Sequence, residues 1–511
     1  MCARERGWST VDEPVKRPSV NPLDKLSRLT PRAALSRLKG LNDRQFTAVS
    51  AGLGLALAAG AVLAAGPWDS GQRKAETDLA AARNRTGGAH HEPAAPSGPA
   101  PAPSAPAVLA ALSSAVDNSA PDARTAQDGS AAALRAALGP LLKDPALGKR
   151  RSAVVIDTAD GEQLYGQGAD TPMTPASTVK IATAVAALSA LGPDHRVATT
   201  VRASADSRDI VLVGGGDPTL DKAALRRLAA DTAHALKDRG VDKVRLGYDT
   251  SRYSGPARHP IGPNENIAPV SALMTDEGRL DSTDSGPAPR SDDPAGDTAR
   301  TFAKLLDGAG IDTGSGPKPG RPPAGSEKVA EHRSAPLSAL VERALTNSDN
   351  DIAEALARQT ALAAGEPADF DGGRRAVTAQ LKKLGLPLKG ADLADGSGLD
   401  RKDKVTAGLL AGLLARAADP DRPELRSVLT GLPVAGFSGT LSDRYTGKSA
   451  GTGLIRAKTG TLTGVNTLAG TVVDRQGRLL AFAFLASGTT SPSDAQSALD
   501  ALATALASRP H

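Results

Sequence analysis

Three short motifs in chain order, Ser177-Thr178-Val179-Lys180, Ser348-Asp349-Asn350 and Lys458-Thr459-Gly460-Thr461, contain the residue types of a serine acyl-transfer site. A serine hydroxyl is a weak nucleophile and needs an adjacent base; no His-Asp pair stands at motif spacing, so Lys180 is the available one. A lysine acting as a base must be neutral, and a cation at Lys458 would lower its pKa while drawing in an anionic substrate group. Ser348 would pass the proton between Lys180 and a leaving amine, and Asn350 would hold both Lys180 and the substrate backbone. Lys458, Thr459 and Thr461 on an edge strand would bind a carboxylate through charge and hydroxyls, with Gly460 admitting the ligand backbone. The N–H groups of Ser177 and Thr461 would form an oxyanion hole. Such a site selects a C-terminal peptide end and needs neither cofactor nor metal.

Taken singly, each motif has a plainer reading: Ser177 as a helix cap, Lys180 as a solvated helix residue, Ser348-Asp349-Asn350 as a second cap and Lys458-Thr459-Gly460 as a turn. Ser36-Arg37-Leu38-Lys39 and Ser19-Val20-Asn21 match the first two patterns by chance in a basic tail. Order and context make the difference.

The positioning elements follow from periodicity. Helical spacing resumes near Ser130, and AVVIDTADGEQLYGQG over 153–168 reads as a hairpin about an Asp-Gly turn. A helix over 182–191 continues from the first motif, placing Ser177 near its N-terminus with Lys180 one turn on. Between the first two motifs the chain gives a strand at 209–218, a helix at 222–240, a strand at 241–249 and a helix near 299–306 flanked by Pro/Gly-rich loops at 283–296 and 313–327. This is an inserted α/β element, with return to the main domain near Val329. Helices are expected at 336–346, 350–364, 371–384 and 404–416, then two strands at 454–474 and 478–487 and a last amphipathic helix at 493–507. The fold class is α/β: an antiparallel sheet flanked by helices, interrupted by a smaller inserted domain.

Composition narrows the partners. The 511 residues carry a net charge of +5, but residues 1–45 hold ten Lys/Arg against five Asp/Glu, so the remainder is balanced at 51 of each. A neutral body with 2 % aromatic residues argues against nucleic-acid binding. Cys2 is the sole cysteine, and the seven histidines show no paired ligand spacing, so each reads as a surface or packing residue. Phe46 to Gly66 is a stretch of 21 residues without a charge, the length of a helix that crosses a roughly 30 Å hydrocarbon core. The basic tail before it predicts a cytoplasmic N-terminus and an extracellular body on a single-pass membrane anchor, with secretion after signal cleavage as the alternative. Residues 67–128, rich in Pro and Ala, read as a disordered spacer. The domains are thus 1–45 (tail), 46–66 (anchor), 67–128 (linker), 129–192 with 329–511 (catalytic) and 193–328 (inserted).

The three motifs resemble those of the penicillin-recognising serine enzymes. Within them VLVGGGDPTL at 211–220, DTSRYSGP at 249–256, IAPVSALMTDEGR at 267–279, TNSDNDIAEALARQ at 346–359, DGSGL at 395–399 and RAKTGTLTGVNTLAGTV at 456–472 are similar to the penicillin-binding protein 4-type D-alanyl-D-alanine carboxypeptidase/endopeptidase group, peptidase family S13. The resemblance covers roughly 129–507 and implies a transpeptidase-like (β-lactamase-like) domain with Ser177 as nucleophile and Lys180 as base. Peptidoglycan stem peptides would be the substrate and β-lactam antibiotics covalent inhibitors. A β-lactamase is one alternative, but it needs a carboxylate that activates the deacylating water, and no glutamate lies between Glu366 and Glu424. A non-catalytic peptidoglycan-binding module is the other, and intact Ser177 and Lys180 speak against it.

Overall fold

The structure, a computed structural model, describes residues 123–508. The expected tail, the membrane segment 46–66 and the linker as far as 122 lie outside the described residues. Among the described residues no helix is long and apolar enough to cross a membrane. The helix α1, Ala123–Leu141, takes in the last residues of the expected linker; its alanine-rich sequence favours a helix over an extended spacer.

The catalytic sheet has five antiparallel strands in the order β2-β1-β10-β9-β8: β1 Arg150–Asp157, β2 Gln163–Gln167, β8 Ile455–Leu462, β9 Val465–Val473 and β10 Leu479–Ser487. The run expected as one strand over 454–474 is two, because Gly464 at φ 72° turns the chain back on itself. Both faces of this sheet are covered, as β10 records in its alternation. Leu480, Phe482 and Phe484 join Leu134 and Leu138 of α1 and Leu499, Leu502 and Leu506 of the last helix, Pro492–Ala507. Ala481, Ala483 and Leu485 face the opposite way, into the core built by the helices at Lys180–Leu191, Leu337–Thr346, Asn350–Ala363, Phe370–Lys383 and Ala407–Ala418. Alanines on that face let the helix Ala407–Ala418 approach the strand closely, while each buried phenylalanine opposite contributes about 1.5–3 kcal/mol.

The inserted domain has its own five-stranded sheet, β6-β5-β4-β3-β7, comprising β3 Ala198–Ala203, β4 Asp209–Val213, β5 Arg245–Asp249, β6 Lys318–Pro319 and β7 Glu327–Arg333. β4 and β5 run parallel, which requires a crossover, and the helix Lys222–Lys237 supplies it. Asp221 caps that helix through Ala224 N–H, and Asp293 caps the helix Pro294–Gly308 through Gly296 N–H. β3 carries no expectation from the sequence. β7 pairs antiparallel with β3, from Glu327 opposite Ala203 to Arg333 opposite Ala198, so the inserted sheet runs to Arg333. The expected boundary at 328 cuts this strand. As an edge strand β7 buries only Ala330 fully, so its polar sequence conceals its membership in the sheet.

Candidate active site

Ser177 lies in one turn of 3-10 helix, Ala176–Val179, which runs directly into the helix Lys180–Leu191. With three residues per turn, positions i and i+3 eclipse, and Ser177 Oγ stands 3.0 Å from Lys180 Nζ. The turn begins on Ala176 at φ 49°, a left-handed conformation costing a non-glycine residue about 1–3 kcal/mol. It is held by Pro175, whose carbonyl accepts from Thr178 Oγ1 at 2.8 Å and from Thr467 Oγ1 on β9 at 2.7 Å. Ser177 is therefore not a helix cap.

Asn350 opens the helix Asn350–Ala363, and the cap is Asp349, whose Oδ1 accepts from Ile352 N–H at 2.9 Å. Asn350 Nδ2 donates to the carbonyl of Asn266 at 2.9 Å, which turns Oδ1 towards Lys180 Nζ at 2.6 Å. The carbonyl of Ser397 also accepts from Nζ, at 2.6 Å. Both are acceptors only. A neutral lysine would spend its two N–H groups on them and leave its lone pair for the Ser177 hydroxyl proton.

Lys180 is 1 % exposed, and burial is the main cause that lowers its pKa to about 8; the charges of Asp395, Asp349, Glu354 and Asp403 oppose the shift. The expected cause, a cation at Lys458, is replaced by desolvation. Lys458 is itself fully buried and held well below the ordinary lysine range, by burial first and then by the charge of Lys180, and its Nζ donates to Thr459 O at 2.8 Å.

An open cleft of about 530 Å³ brings together Ser177, Ser348, Asn350, Thr459 and Thr461. Lys458 stands behind this surface, so of this motif Thr459 and Thr461 face the cleft, Thr459 being steadied by Thr440 at 2.8 Å. Ser348 reaches the cleft from a left-handed backbone at φ 58°, with Nζ of Lys180 bonded instead to Ser177, Asn350 and Ser397. Gly460 has a different role from the expected one: a β-carbon there would stand 2.1 Å from Thr467 Oγ1 and 2.6 Å from Pro175 O. It admits the serine turn, not the ligand.

Sequence reasoning missed a buried layer behind the lysine. Asp395 Oδ1 accepts from Ser397 N–H at 2.9 Å and from Gly398 N–H, and its Oδ2 accepts from Asp400 N–H at 2.7 Å and from His259 Nε2 at 2.9 Å. Burial pushes Asp395 up, but the bonds from His259 and the backbone outweigh it and hold it below the usual carboxylate range. Asp403 goes the other way, raised to about 9 by burial and then by the charge of Asp395. His259, read as a surface or packing residue, is a buried partner of this turn. The signal lay in Asp395-Gly396-Ser397-Gly398, where an aspartate accepts N–H groups from the residues following it. Among the described residues, two buried clusters, His259/Glu354/Asp395 and Glu277/Asp349/Asp351, each bring three potential metal-ligating atoms within 4.8 Å. Most of their oxygens already engage backbone N–H groups or arginines, such as Arg358 on Glu354, Arg279 on Glu277 and Arg290 on Asp351.

A family model described as the D-Ala-D-Ala carboxypeptidase 3 (S13) family matches residues 134–287 and 281–508. A carboxypeptidase of Mycobacterium tuberculosis is 38 % identical over 429 residues, 80 % of this chain and 89 % of its own length. The carboxypeptidase DacB of Mycolicibacterium smegmatis is 39 % identical over 434 residues, 81 % of this chain and 90 % of its own. Among solved structures, penicillin-binding protein 4 of Haemophilus influenzae superposes with a TM-score of 0.59 at 23 % identity, covering 70 % of this chain and 95 % of that one. At that identity the likeness is one of fold.

Proposed function

The chain belongs to the D-Ala-D-Ala carboxypeptidase 3 (S13) family, and on that footing we propose that it is a serine-type D-Ala-D-Ala carboxypeptidase/endopeptidase acting on peptidoglycan stem peptides through an acyl-enzyme on Ser177. The observation that carries this reading is the setting of Lys180, desolvated, 3.0 Å from Ser177 Oγ and with both of its other hydrogen bonds made to carbonyl oxygens. Lys180 takes the Ser177 hydroxyl proton as Oγ attacks the carbonyl carbon before the terminal D-alanine. The carbonyl oxygen becomes an oxyanion opposite the N–H groups of Ser177 and Thr461. As the tetrahedral species collapses, the C–N bond breaks and the departing amine takes the proton, with Ser348 as the route from Lys180. Water then cleaves the ester and frees Ser177.

Thr459 and Thr461 bind the terminal carboxylate, with Lys458 behind them. A β-lactam presents a strained amide and a carboxylate to the same groups and acylates Ser177. The acidic residue among those lining the cleft is Asp349, which is engaged as a helix cap, so no carboxylate is free to activate water; the amine released from a β-lactam stays tethered to the acyl group, unlike departing D-alanine, and blocks the approach of water, so the penicilloyl ester persists. This disfavours a β-lactamase. Residues 46–66 anchor the protein in the cell membrane with the catalytic body outside, a reading supported by their uncharged length and the basic tail before them.

The test is intact-mass spectrometry of the full chain after exposure to a fluorescent penicillin, beside release of D-alanine from a peptide ending in D-Ala-D-Ala. A stable adduct and released D-alanine, both lost in Ser177→Ala, are expected. Turnover of penicillin without an adduct would overturn the peptidase reading in favour of a β-lactamase. A folded protein that does neither would overturn catalysis altogether.

A further inference from the structure

Both carbonyl oxygens that accept hydrogen bonds from Lys180 Nζ are held from one stretch of the inserted domain. Asn266 presents its main-chain carbonyl to Asn350 Nδ2 at 2.9 Å. Since a carbonyl only accepts, this contact decides which end of the Asn350 amide meets the lysine. Seven residues earlier, His259 reaches Asp395 at 2.9 Å, each side chain 1 % exposed. Ile261 N–H donates to His259 Nδ1 at 3.3 Å, which leaves the proton on Nε2, facing Asp395. The imidazole is fixed edge-on against Phe370, with ring centroids 5.1 Å apart. Asp395 in turn holds the N–H groups of Ser397 and Gly398, and so shapes the turn that aims Ser397 O at Nζ. Glu354 accepts from Gly396 and Ser397 N–H as a second anchor belonging to the catalytic domain. Loss of His259 would therefore displace the turn and not dissolve it.

We propose that the segment from His259 to Asn266 of the inserted domain is the positioning element of Lys180: it holds the two oxygens that accept the amine's N–H hydrogen bonds and thereby aims the lone pair at Ser177. The proposal rests on the reading of Lys180 as the base. It makes the inserted domain part of the acylation machinery and His259 a positioning residue that never touches substrate.

The experiment compares His259→Leu, His259→Gln and His259→Asn in the full-length protein, with acylation by a fluorescent penicillin followed over a range of concentrations. This separates the first-order chemical step from the affinity of the preceding complex. Glutamine places an amide donor at the reach of Nε2; asparagine is polar but stops short of Asp395. The leucine and asparagine variants are expected to slow the chemical step about tenfold or more with affinity changed less than about twofold, and glutamine to restore most of the rate. Equal rates for the glutamine and asparagine variants, or a loss confined to affinity, would overturn the proposal. Should the leucine variant fail to fold, the two amides still decide the matter, with melting temperatures taken alongside. A wild type indistinguishable from Ser177→Ala would instead refute the functional reading.

Discussion

Replacing Asn350 by aspartate places a carboxylate oxygen where Oδ1 now stands, 2.6 Å from Lys180 Nζ. In the native site, burial brings the lysine from 10.5 to about 8. At pH 7 roughly one Lys180 in ten is then neutral, against roughly one in three thousand for a solvated lysine. Since only the neutral amine can take the Ser177 proton, acylation by penicillin rises with pH through about 8 and levels off above it. An adjoining carboxylate favours the ammonium form and moves the midpoint upward by roughly one to three pH units. The neutral fraction at pH 7, and with it the acylation rate, falls about tenfold to a thousandfold; near pH 10 the loss is nearly all recovered for a shift of about one unit and shrinks to about tenfold for a shift of about three. The assay is the second-order rate of labelling by a fluorescent penicillin between roughly pH 6 and pH 10, quenched and read on a gel. A variant profile that superimposes on wild type, or a wild-type rate that is flat across this range, would refute the assignment of Lys180 as a base.

Gly460→Ala sets a methyl group against Thr467 Oγ1 and Pro175 O and pushes the serine turn away from the sheet; penicillin labelling is expected to fall about a hundredfold, and an unchanged rate would show that the turn can give. Lys458→Met replaces a fully buried amine by an apolar chain of similar length and is expected to stabilise the fold by about 1 kcal/mol at neutral pH while weakening release of D-alanine. Because Lys458 is held below the 10.5 of the unfolded chain, the unfolded state binds more protons, so wild-type stability from this group rises with pH towards 10.5 and falls as pH drops. Thermal melts of both proteins across pH check the sign: the advantage of the variant grows as pH is lowered, and a constant difference would contradict it.

Much of the scaffold is legible from period alone. The helices expected at 336–346, 350–364 and 371–384 are present as Leu337–Thr346, Asn350–Ala363 and Phe370–Lys383, because each has an apolar stripe at helical spacing and the last two begin on a capping aspartate, Asp349 and Asp369. Strands at sheet edges and turns within strand-like runs are not legible in this way. β7 is polar because it has one neighbour, and the turn at Gly464 lies inside a threonine- and valine-rich run that reads as a single strand. The corrections at Gly460 and Lys458 have a common cause. Spacing shows that a glycine or a lysine is present, whereas its role depends on what lies across the gap, here Pro175 and Thr467 for one and the carbonyl of Thr459 for the other.

The sequence by itself determined which residues could carry the chemistry, through three motifs in order; within the first, Ser177 and Lys180 lie three residues apart and one turn of helix brings them together. Only the tertiary structure decided the setting in which that lysine could act as a base. Its desolvation comes from packing, and its hydrogen-bond acceptors come from Asn350 and Ser397, which lie 170 and 217 residues away in the chain. Those acceptors are held in turn by His259 and Asn266, across a domain boundary. Local spacing fixes covalent neighbours and one-turn contacts; burial and hydrogen-bond direction are properties of the assembled fold, and no short stretch of sequence carries them.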